Sequence, residues 1–234
     1  IKIAKELGIA NVIETTDTAF LDYPQVNIPK EIFRGIGEKK YVVFVPNSLI
    51  WHYFYRGKAT GDEVVAYWSK VARVIAKHYP NHKIVMLPQT SLQGETADDK
   101  FLFQDIQRYC PELNIFVSDD IYSSDIQQQI IRGADAVFGA RYHSIVFAIN
   151  NNVPFVSLSY EHKMSGLLEE LGLQDEMIDI TKLFTSDDIN RGILEQLDEL
   201  IPQIHRSAEG RIMAKEKAER AFSQFVDHIS MLQR

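Results

Sequence analysis

Residues 135–163 read DAVFGARYHSIVFAINNNVPFVSLSYEHK, and this pattern decides the fold. A short apolar run at 136–138 ends at Gly139, and a second run at 155–158 ends just before Tyr160. Short apolar runs bounded by Gly, Asn and Pro are typical of buried strands. The longer apolar stretch between them, which an asparagine triplet and a proline stop, is typical of a helix. The pattern therefore predicts strand, helix, strand.

The same alternation continues on both sides of this stretch. Further apolar, β-branched runs predict strands at 41–45, 83–87, 114–117 and 177–180. A helical pattern follows the first of these strands, and it begins at Thr60 with Glu63 three residues later, as in a capping box. Strands that alternate with helices through short connections predict an α/β fold, with a parallel Rossmann-like sheet and helices on both faces.

Polar side chains follow the predicted strands in chain order. These residues are Asn47, Gln89, Ser118, Arg141 and Tyr160. Because the carboxyl ends of parallel strands lie at one edge of the sheet, we expect these residues to meet there. Ligands of open α/β sheets bind at that edge. The sequence therefore predicts a cleft.

The residues after Gly139 favour an anion as the ligand of this cleft. The first turn of a helix leaves backbone N–H groups unpaired and carries a partial positive charge. Ser144 lies in that turn of the predicted helix. Arg141 adds a planar, permanently charged fork that matches a carboxylate or phosphate, and His143 adds a group that titrates near neutral pH. Alternatively, Arg141 pairs with a neighbouring Asp and His143 is a satisfied polar residue near the core edge.

A loop rich in aromatic and basic residues follows the first strand. It contains His52, Tyr53, Tyr55, Arg56 and Lys58. Such a loop can bind a sugar by stacking or a phosphate by charge, and it can equally be a solvated loop with aromatic anchors.

The motifs GARYHSIVFA at 139–148 and VPFVSLSYEHKMSGLLEELGL at 153–173 resemble the polysaccharide pyruvyl transferase family. That family carries an R-x-H-S-x-x-F-A core followed by Y-x-x-K-x-x-G-x-x-x-x-L-G-L. The resemblance implies the carboxyl-terminal domain of a GT-B-type two-domain transferase. It also implies transfer of a pyruvyl group from phosphoenolpyruvate to sugar hydroxyls of a polysaccharide or its lipid-linked oligosaccharide precursor, with formation of a ketal and no separate cofactor.

The resemblance also suggests roles for individual residues. His143 is the candidate acid or phosphate contact, and Arg141 holds an anionic group of the donor. Lys163, with Tyr160, neutralises the departing phosphate. The predicted substrate contacts further include Ser144, Gln89, Asn47, His52 and Arg56. Two other functions stay open: a nucleotide-sugar glycosyltransferase of GT-B type and a non-catalytic domain that binds anions or carbohydrates.

Composition excludes several classes of function. A net charge of −7 argues against a nucleic-acid-binding protein. The single cysteine, Cys110, excludes an intrachain disulfide and a cysteine-rich zinc site, and the histidines show no metal-ligand spacing. No apolar run is long enough for a transmembrane segment. We therefore expect a cytoplasmic protein, either free or peripheral to the inner face of the membrane.

We expect three segments along the chain. Residues 1–38 are predicted to be the tail of a largely absent amino-terminal domain, 39–185 the Rossmann-like donor-binding domain, and 186–234 carboxyl-terminal helices. An apolar stripe in the last helix, with Phe222 and Phe225, can pack on the absent domain, on the sheet, or on a second copy in a homo-oligomer. Smaller predictions are a turn-capping role for Asp17 and helix first-turn roles for Asp98 and Asp99.

Overall fold

Six short strands form one parallel sheet in a computed structural model, which describes residues 4, 6–9, 12, 16–37, 39–50, 52–90 and 98–232. The strands are β1 (Tyr41–Val45), β2 (Lys83–Met86), β3 (Ile115–Val117), β4 (Val137–Gly139), β5 (Phe155–Ser159) and β6 (Met177–Asp179). The helices are α1 (Lys30–Ile36), α2 (Gly61–His78), α3 (Asp99–Tyr109), α4 (Ser124–Arg132), α5 (Tyr142–Asn150), α6 (His162–Glu170), α7 (Asp187–Leu200) and α8 (Ala208–Leu232). Short 3-10 helices cover Thr18–Phe20, Gln174–Glu176 and Ile201–Gln203. The predicted fold class is confirmed.

The order of the strands is β3-β2-β1-β4-β5-β6, and every neighbouring pair is parallel. Val43 of β1 pairs with Val85 of β2 on one side and with Val137 of β4 on the other. The chain therefore moves outward from β1 to β3 and then returns to β1 to lay down β4. A crevice opens at the carboxyl ends of the strands where the order reverses, and ligands bind there in such sheets.

The sheet is buried because helices cover both of its faces. Val42, Val43, Phe44 and Val45 of β1 have no exposed surface. Helices α3 and α7 both contact α2 and form one group with it, and α4 and α8 both contact α5 and form a second group. Near-continuous apolar strands are what burial on both faces demands.

The start of α2 confirms the predicted capping box. The Thr60 hydroxyl accepts a hydrogen bond from the Glu63 amide at 3.3 Å, and the Glu63 carboxylate accepts one from the Thr60 amide at 2.7 Å. This pair satisfies two backbone donors that the first helical turn leaves unpaired. It thus fixes where the loop after β1 ends.

The described residues before β1 pack on the sheet domain. Phe20 and Ile32 belong to the same apolar core as the strands. The Asn150 side chain at the end of α5 donates to the Ala19 carbonyl at 2.9 Å. The division of the chain into three segments stays a prediction, but this contact ties the segment at 18–20 to the helix that follows β4.

The last helix, α8, contacts α5 through part of its length. Ala214 and Ala218 are buried, whereas Phe222, Phe225 and Val226 are 52%, 56% and 44% exposed. The homo-oligomer stays a prediction. In the part of the chain that the structure describes, no helix is both long and apolar enough to cross a membrane.

The cysteine lies in the core. Cys110 follows α3, has no exposed surface, and its thiol donates to the Ser69 carbonyl at 3.7 Å. Burial raises the pKa of this thiol. The reactive thiolate is therefore disfavoured, and the sulfur is out of reach of reagents in the solvent.

Candidate anion-binding cleft

A cleft of about 270 Å³ lies at the carboxyl edge of the sheet. It is lined by Gln89, Thr90, Ala140, Arg141, Tyr142, His143, Tyr160, Glu161 and Met164. These residues come from the connections after β2, β4 and β5, which is the place that the strand order and the polar strand ends indicate. Gln89, Arg141 and Tyr160 meet there as predicted, whereas Ser118 does not line the cleft and donates to the Asp120 carbonyl at 2.9 Å.

The turn from β4 into α5 is closed by Ser144. Its hydroxyl donates to the Arg141 carbonyl at 2.6 Å, and its amide approaches the same oxygen at 3.1 Å. A Cβ at Gly139 would overlap the Ser144 hydroxyl, so glycine is required at the end of the strand. Ser144 is fully buried and does not line the cleft. The predicted contact between Ser144 and a ligand is therefore wrong. The buried Ser144 side chain stabilises the turn instead.

The inner wall of the cleft, meaning Gln89, Thr90 and Arg141 with Asp99 behind them, is built around one carboxylate. One Asp99 oxygen accepts from Nη2 of Arg141. The other accepts from the backbone amides of Gln89 at 3.0 Å and Thr90 at 2.9 Å. Arg141 thus pairs with an Asp, as the alternative interpretation expected, and still lines the cleft.

The two charged side chains of the inner wall, Asp99 and Arg141, are largely buried. The side chain of Asp99 is 1% exposed and that of Arg141 is 13% exposed. Burial raises the pKa of Asp99, although the Arg141 guanidinium and the two amides act in the opposite direction. The Nε atom of Arg141 is buried without a hydrogen-bond partner. This wall is therefore fixed by several hydrogen bonds, and it keeps one buried donor without a partner, which costs stability.

The mouth of the cleft, meaning His143 and Lys163 with Asp17, is built from two exposed side chains beside a largely buried carboxylate; His143 lines the cleft, whereas Lys163 and Asp17 lie outside its lining. The Asp17 Oδ2 atom lies 3.8 Å from Nε2 of His143 and 3.7 Å from Nζ of Lys163. Its Oδ1 atom accepts from the Ala19 amide at 3.0 Å, so the predicted turn-capping role is confirmed. Nζ of Lys163 also lies 3.6 Å from the centre of the Tyr142 ring, in cation–π contact. These contacts gather a histidine and a lysine beside the start of α5.

Tyr160 forms the side of the cleft and is held from behind. Its hydroxyl accepts from Nδ2 of Asn47 at 2.6 Å, and its ring lies edge-on to His52 with centroids 5.1 Å apart. Burial raises the pKa of Tyr160 to about 12, so the phenol is a neutral group at physiological pH. Asn47 and His52 are buried and do not line the cleft. The structure therefore makes them supports of Tyr160 instead of the predicted ligand contacts.

The other two predicted contacts differ in their placement. Gln89 lines the cleft, and its side chain donates to Oε1 of Gln127 at 3.0 Å. Arg56 is exposed and lies outside the cleft lining, because the turns at 52–58 fold the loop after β1 away from it. Its predicted contact with the substrate is not supported by this geometry.

Several residues of the site were not predicted from the sequence. Thr90 and Glu161 line the cleft, and Asp99 anchors it. Glu161 follows Tyr160 directly after β5, and its carboxylate lies 3.6 Å from Nε2 of His52. The strand-end argument already covered the positions of Thr90 and Glu161, whereas no local signal distinguishes Asp99 from an exposed carboxylate at a helix start.

The described residues also form a larger hollow away from this cleft. A hollow of about 920 Å³ between α2 and α7 is lined by side chains of both charge signs from these helices and the loops leading into them. Within the described residues, no group of three His, Cys, Asp or Glu side chains is arranged to hold a metal ion. The metal-free site stays a prediction.

Sequence comparison identifies a family. The sequence model of the family described as "Polysaccharide pyruvyl transferase" matches residues 1–162. The chain is also 30% identical over 82 residues to the "Amylovoran biosynthesis protein AmsJ" of Erwinia amylovora. That alignment covers 34% of this chain and 20% of the relative, so only a fifth of the relative's length is compared.

Structural comparison finds transferases at low similarity. An α,α-trehalose-phosphate synthase from Burkholderia vietnamiensis has a TM-score of 0.45 at 13% identity, covering 88% of this chain and 48% of that chain. The glycosyltransferase SnogD from Streptomyces nogalater has a TM-score of 0.32 at 14% identity, covering 92% of this chain and 54% of that chain. This chain therefore spans about half the length of these proteins. Both TM-scores are below 0.5, and the fold class is defined by the strand order of this sheet itself.

Proposed function

The chain belongs to the polysaccharide pyruvyl transferase family, and on that premise we propose that it transfers a pyruvyl group from phosphoenolpyruvate to sugar hydroxyls of a polysaccharide or its precursor. The observation that carries the proposal is that Arg141 and His143 line one small cleft at the start of α5, with Lys163 beside it near the same Asp17 carboxylate as His143. The similarity to a protein named for amylovoran biosynthesis supports a polysaccharide as the acceptor.

The donor has two anionic groups, a carboxylate and a phosphate, and the cleft offers two places for them. At the inner wall, Arg141 and the amides at the start of α5 receive the first group. At the mouth, His143 and Lys163 receive the phosphate. A cleft of about 270 Å³ suits a donor of this size better than it suits a whole nucleotide sugar.

The reaction requires acid chemistry at one carbon and addition at the next. His143 gives a proton to the terminal methylene, which becomes a methyl group, and positive charge develops on the carbon that carries the phosphate. A sugar hydroxyl adds to that carbon and loses its proton, the C–O bond to phosphate breaks, and a second hydroxyl adds to close the ketal. One of the two hydroxyl protons restores the proton that His143 gave up, and the other goes to the departing phosphate. A positioned acid contributes roughly 10²–10⁴-fold to such a step.

Lys163 stabilises the leaving phosphate through its charge at the mouth. It lies 3.7 Å from the Asp17 carboxylate, a distance that leaves room for the ammonium to turn toward a phosphate oxygen. The neutral phenol of Tyr160 donates a hydrogen bond without adding charge, because its pKa is raised to about 12. Glu161 brings a carboxylate to the cleft lining, and this group can accept a hydrogen bond from an incoming sugar hydroxyl.

Calorimetric titration of the chain with three ligands tests the proposal. We expect phosphoenolpyruvate to bind, inorganic phosphate to bind more weakly, and a uridine-diphosphate sugar not to compete. The carboxylate contact at the inner wall is the reason for the first difference, and the size of the cleft for the second. Binding of the sugar nucleotide without binding of phosphoenolpyruvate would favour a glycosyltransferase and overturn the proposal.

A further inference from the structure

Asp99 joins the two strand ends that form the inner wall. Arg141, which binds its Oδ1 atom, follows β4, whereas Gln89 and Thr90, which bind its Oδ2 atom, follow β2. The Asp99 amide donates back to the Thr90 carbonyl at 3.1 Å. Because β1 lies between β2 and β4 in the sheet, one side chain spans the point at which the strand order reverses.

The helix that begins at Asp99 does not need this buried carboxylate for its own start. The preceding residue, Asp98, is the N-cap of α3 and accepts from the Lys100 amide at 2.9 Å. A first-turn carboxylate is favoured by the helix dipole when it is exposed to solvent. Burying it is costly unless it is paired and hydrogen-bonded, which Asp99 is. Its position is therefore matched to Arg141 and not to the helix.

We propose that Asp99 is a positioning residue for donor binding: it fixes the plane of the Arg141 guanidinium at the inner wall before the donor arrives. The inference rests on the proposed function, because it concerns how that site receives an anionic group. Holding Nη2 leaves the remaining terminal N–H groups of the guanidinium, which lines the cleft, in one orientation. A ligand group that binds a fixed fork loses less conformational freedom than one that must order it.

The pair also sets the charge of the inner wall. With Asp99 ionised, the Asp99–Arg141 pair carries no net charge, so the inner wall offers directed hydrogen bonds while His143 and Lys163 supply attraction at the mouth. A planar carboxylate profits from a fixed fork because it can bind two N–H groups at once. Inorganic phosphate, attracted chiefly by charge, depends less on the orientation of the guanidinium. Loss of Asp99 should therefore separate the two ligands.

A double-mutant cycle tests this inference. We would titrate wild type, Asp99→Asn, Arg141→Lys and the double variant with phosphoenolpyruvate and with inorganic phosphate. Each single change removes the fixed fork, so each should weaken phosphoenolpyruvate binding by about tenfold or more. The double variant should bind like the single variants, since both changes remove one feature. Phosphate affinity of Asp99→Asn should stay at or above the wild-type value.

Asp98→Asn is the matched control, because it changes the adjacent carboxylate at the same helix start. It should lower thermal stability slightly and leave phosphoenolpyruvate affinity unchanged. Should Asp99→Asn fail to fold, Asp99→Glu keeps the charge but displaces it by one methylene, and it too should weaken phosphoenolpyruvate binding selectively.

Three results overturn the inference, and they can be told apart. Additive losses in the double variant mean that Asp99 does not act through Arg141. Equal losses for phosphoenolpyruvate and phosphate in Asp99→Asn, or wild-type affinity in Asp99→Glu, mean that Asp99 only supports the fold. Failure of the wild-type chain to bind phosphoenolpyruvate overturns the proposed function, and this inference with it.

Discussion

Arg141 and Lys163 both bring a cation to the cleft, but only Arg141 is held by a buried carboxylate. Asp99, its partner, is 1% exposed, whereas the side chains of His143 and Lys163 at the mouth are 54% and 59% exposed. Asp17 lies beside both mouth residues at 3.7–3.8 Å, beyond ordinary hydrogen-bond distance. The inner wall is thus held by hydrogen bonds without a ligand, whereas the mouth has only longer ionic contacts.

This difference indicates that the inner wall and the mouth have different roles in binding the donor. Charges in a buried, hydrogen-bonded pair are poorly screened, so geometry decides what they bind. Exposed charges are screened over about 8 Å at physiological ionic strength, and they respond to salt. We therefore expect the inner wall to control which donor binds, and the mouth to control attraction of the donor and proton transfer.

Breaking the inner wall should have the largest effect. Arg141→Ala leaves Asp99 buried without its cation, which should cost about 3–5 kcal/mol of unfolding free energy at neutral pH. Arg141 lowers the pKa of Asp99 in the folded state, so its loss moves a pKa already raised by burial further up. Stability linked to a raised carboxyl pKa is present below the unfolded value and lost as pH rises through the folded value.

The variant should therefore recover part of its stability relative to wild type when the pH is lowered from 8 to 5. Urea unfolding of both proteins at the two pH values measures this change. A deficit that stays constant between pH 5 and 8 would show that Asp99 does not carry the charge left behind.

Breaking the mouth at His143 should affect turnover but not folding. His143→Ala removes the proposed acid, so the release of phosphate from phosphoenolpyruvate should fall by roughly 10²–10⁴-fold. The side chain is 54% exposed, so the melting temperature should stay within about a degree of wild type, as for surface substitutions. His205→Ala, which changes another exposed histidine outside the cleft lining, serves as the control. Equal loss of turnover and stability would make His143 a structural residue.

Lys163→Gln, a change at the mouth, should have the smallest effect of these substitutions. Removing one exposed charge should weaken phosphoenolpyruvate binding by about twofold to fivefold, in keeping with the modest energies of exposed ion pairs. It should also reduce the dependence of that affinity on sodium chloride. Titrations at 50 and 300 mM salt measure both quantities, with Lys182→Gln, an exposed lysine outside the cleft lining, as control. If the affinity of the variant depended on salt as strongly as that of wild type, Lys163 would not attract the donor.

The sequence predicted the sheet and its polar edge for a physical reason. Strands buried on both faces must be continuously apolar, so the runs at 41–45 and 155–158 are visible without any partner. Glycine at 139 and the capping box at Thr60 mark where backbone geometry changes, and such marks are local. The meeting of Gln89, Arg141 and Tyr160 followed from parallel topology alone.

The supporting contacts could not be predicted because they join distant parts of the chain. Asp99 and Arg141 lie 42 residues apart, and Asn47 and Tyr160 lie 113 apart. Asn47 and His52 have polar side chains at a predicted strand end or loop, which favours exposure, yet tertiary packing buries both. Arg56 was assigned from composition, which does not tell on which side of a loop a side chain lies.

The buried sulfur of Cys110 has a practical consequence. Since the chain contains one cysteine and that residue has no exposed surface, the native protein should not react with maleimide dyes. His162→Cys, at an exposed position beside Lys163, would then give a single labelling point at the rim of the cleft. A fluorophore attached there would report donor arrival in real time, against a background free of other modified side chains.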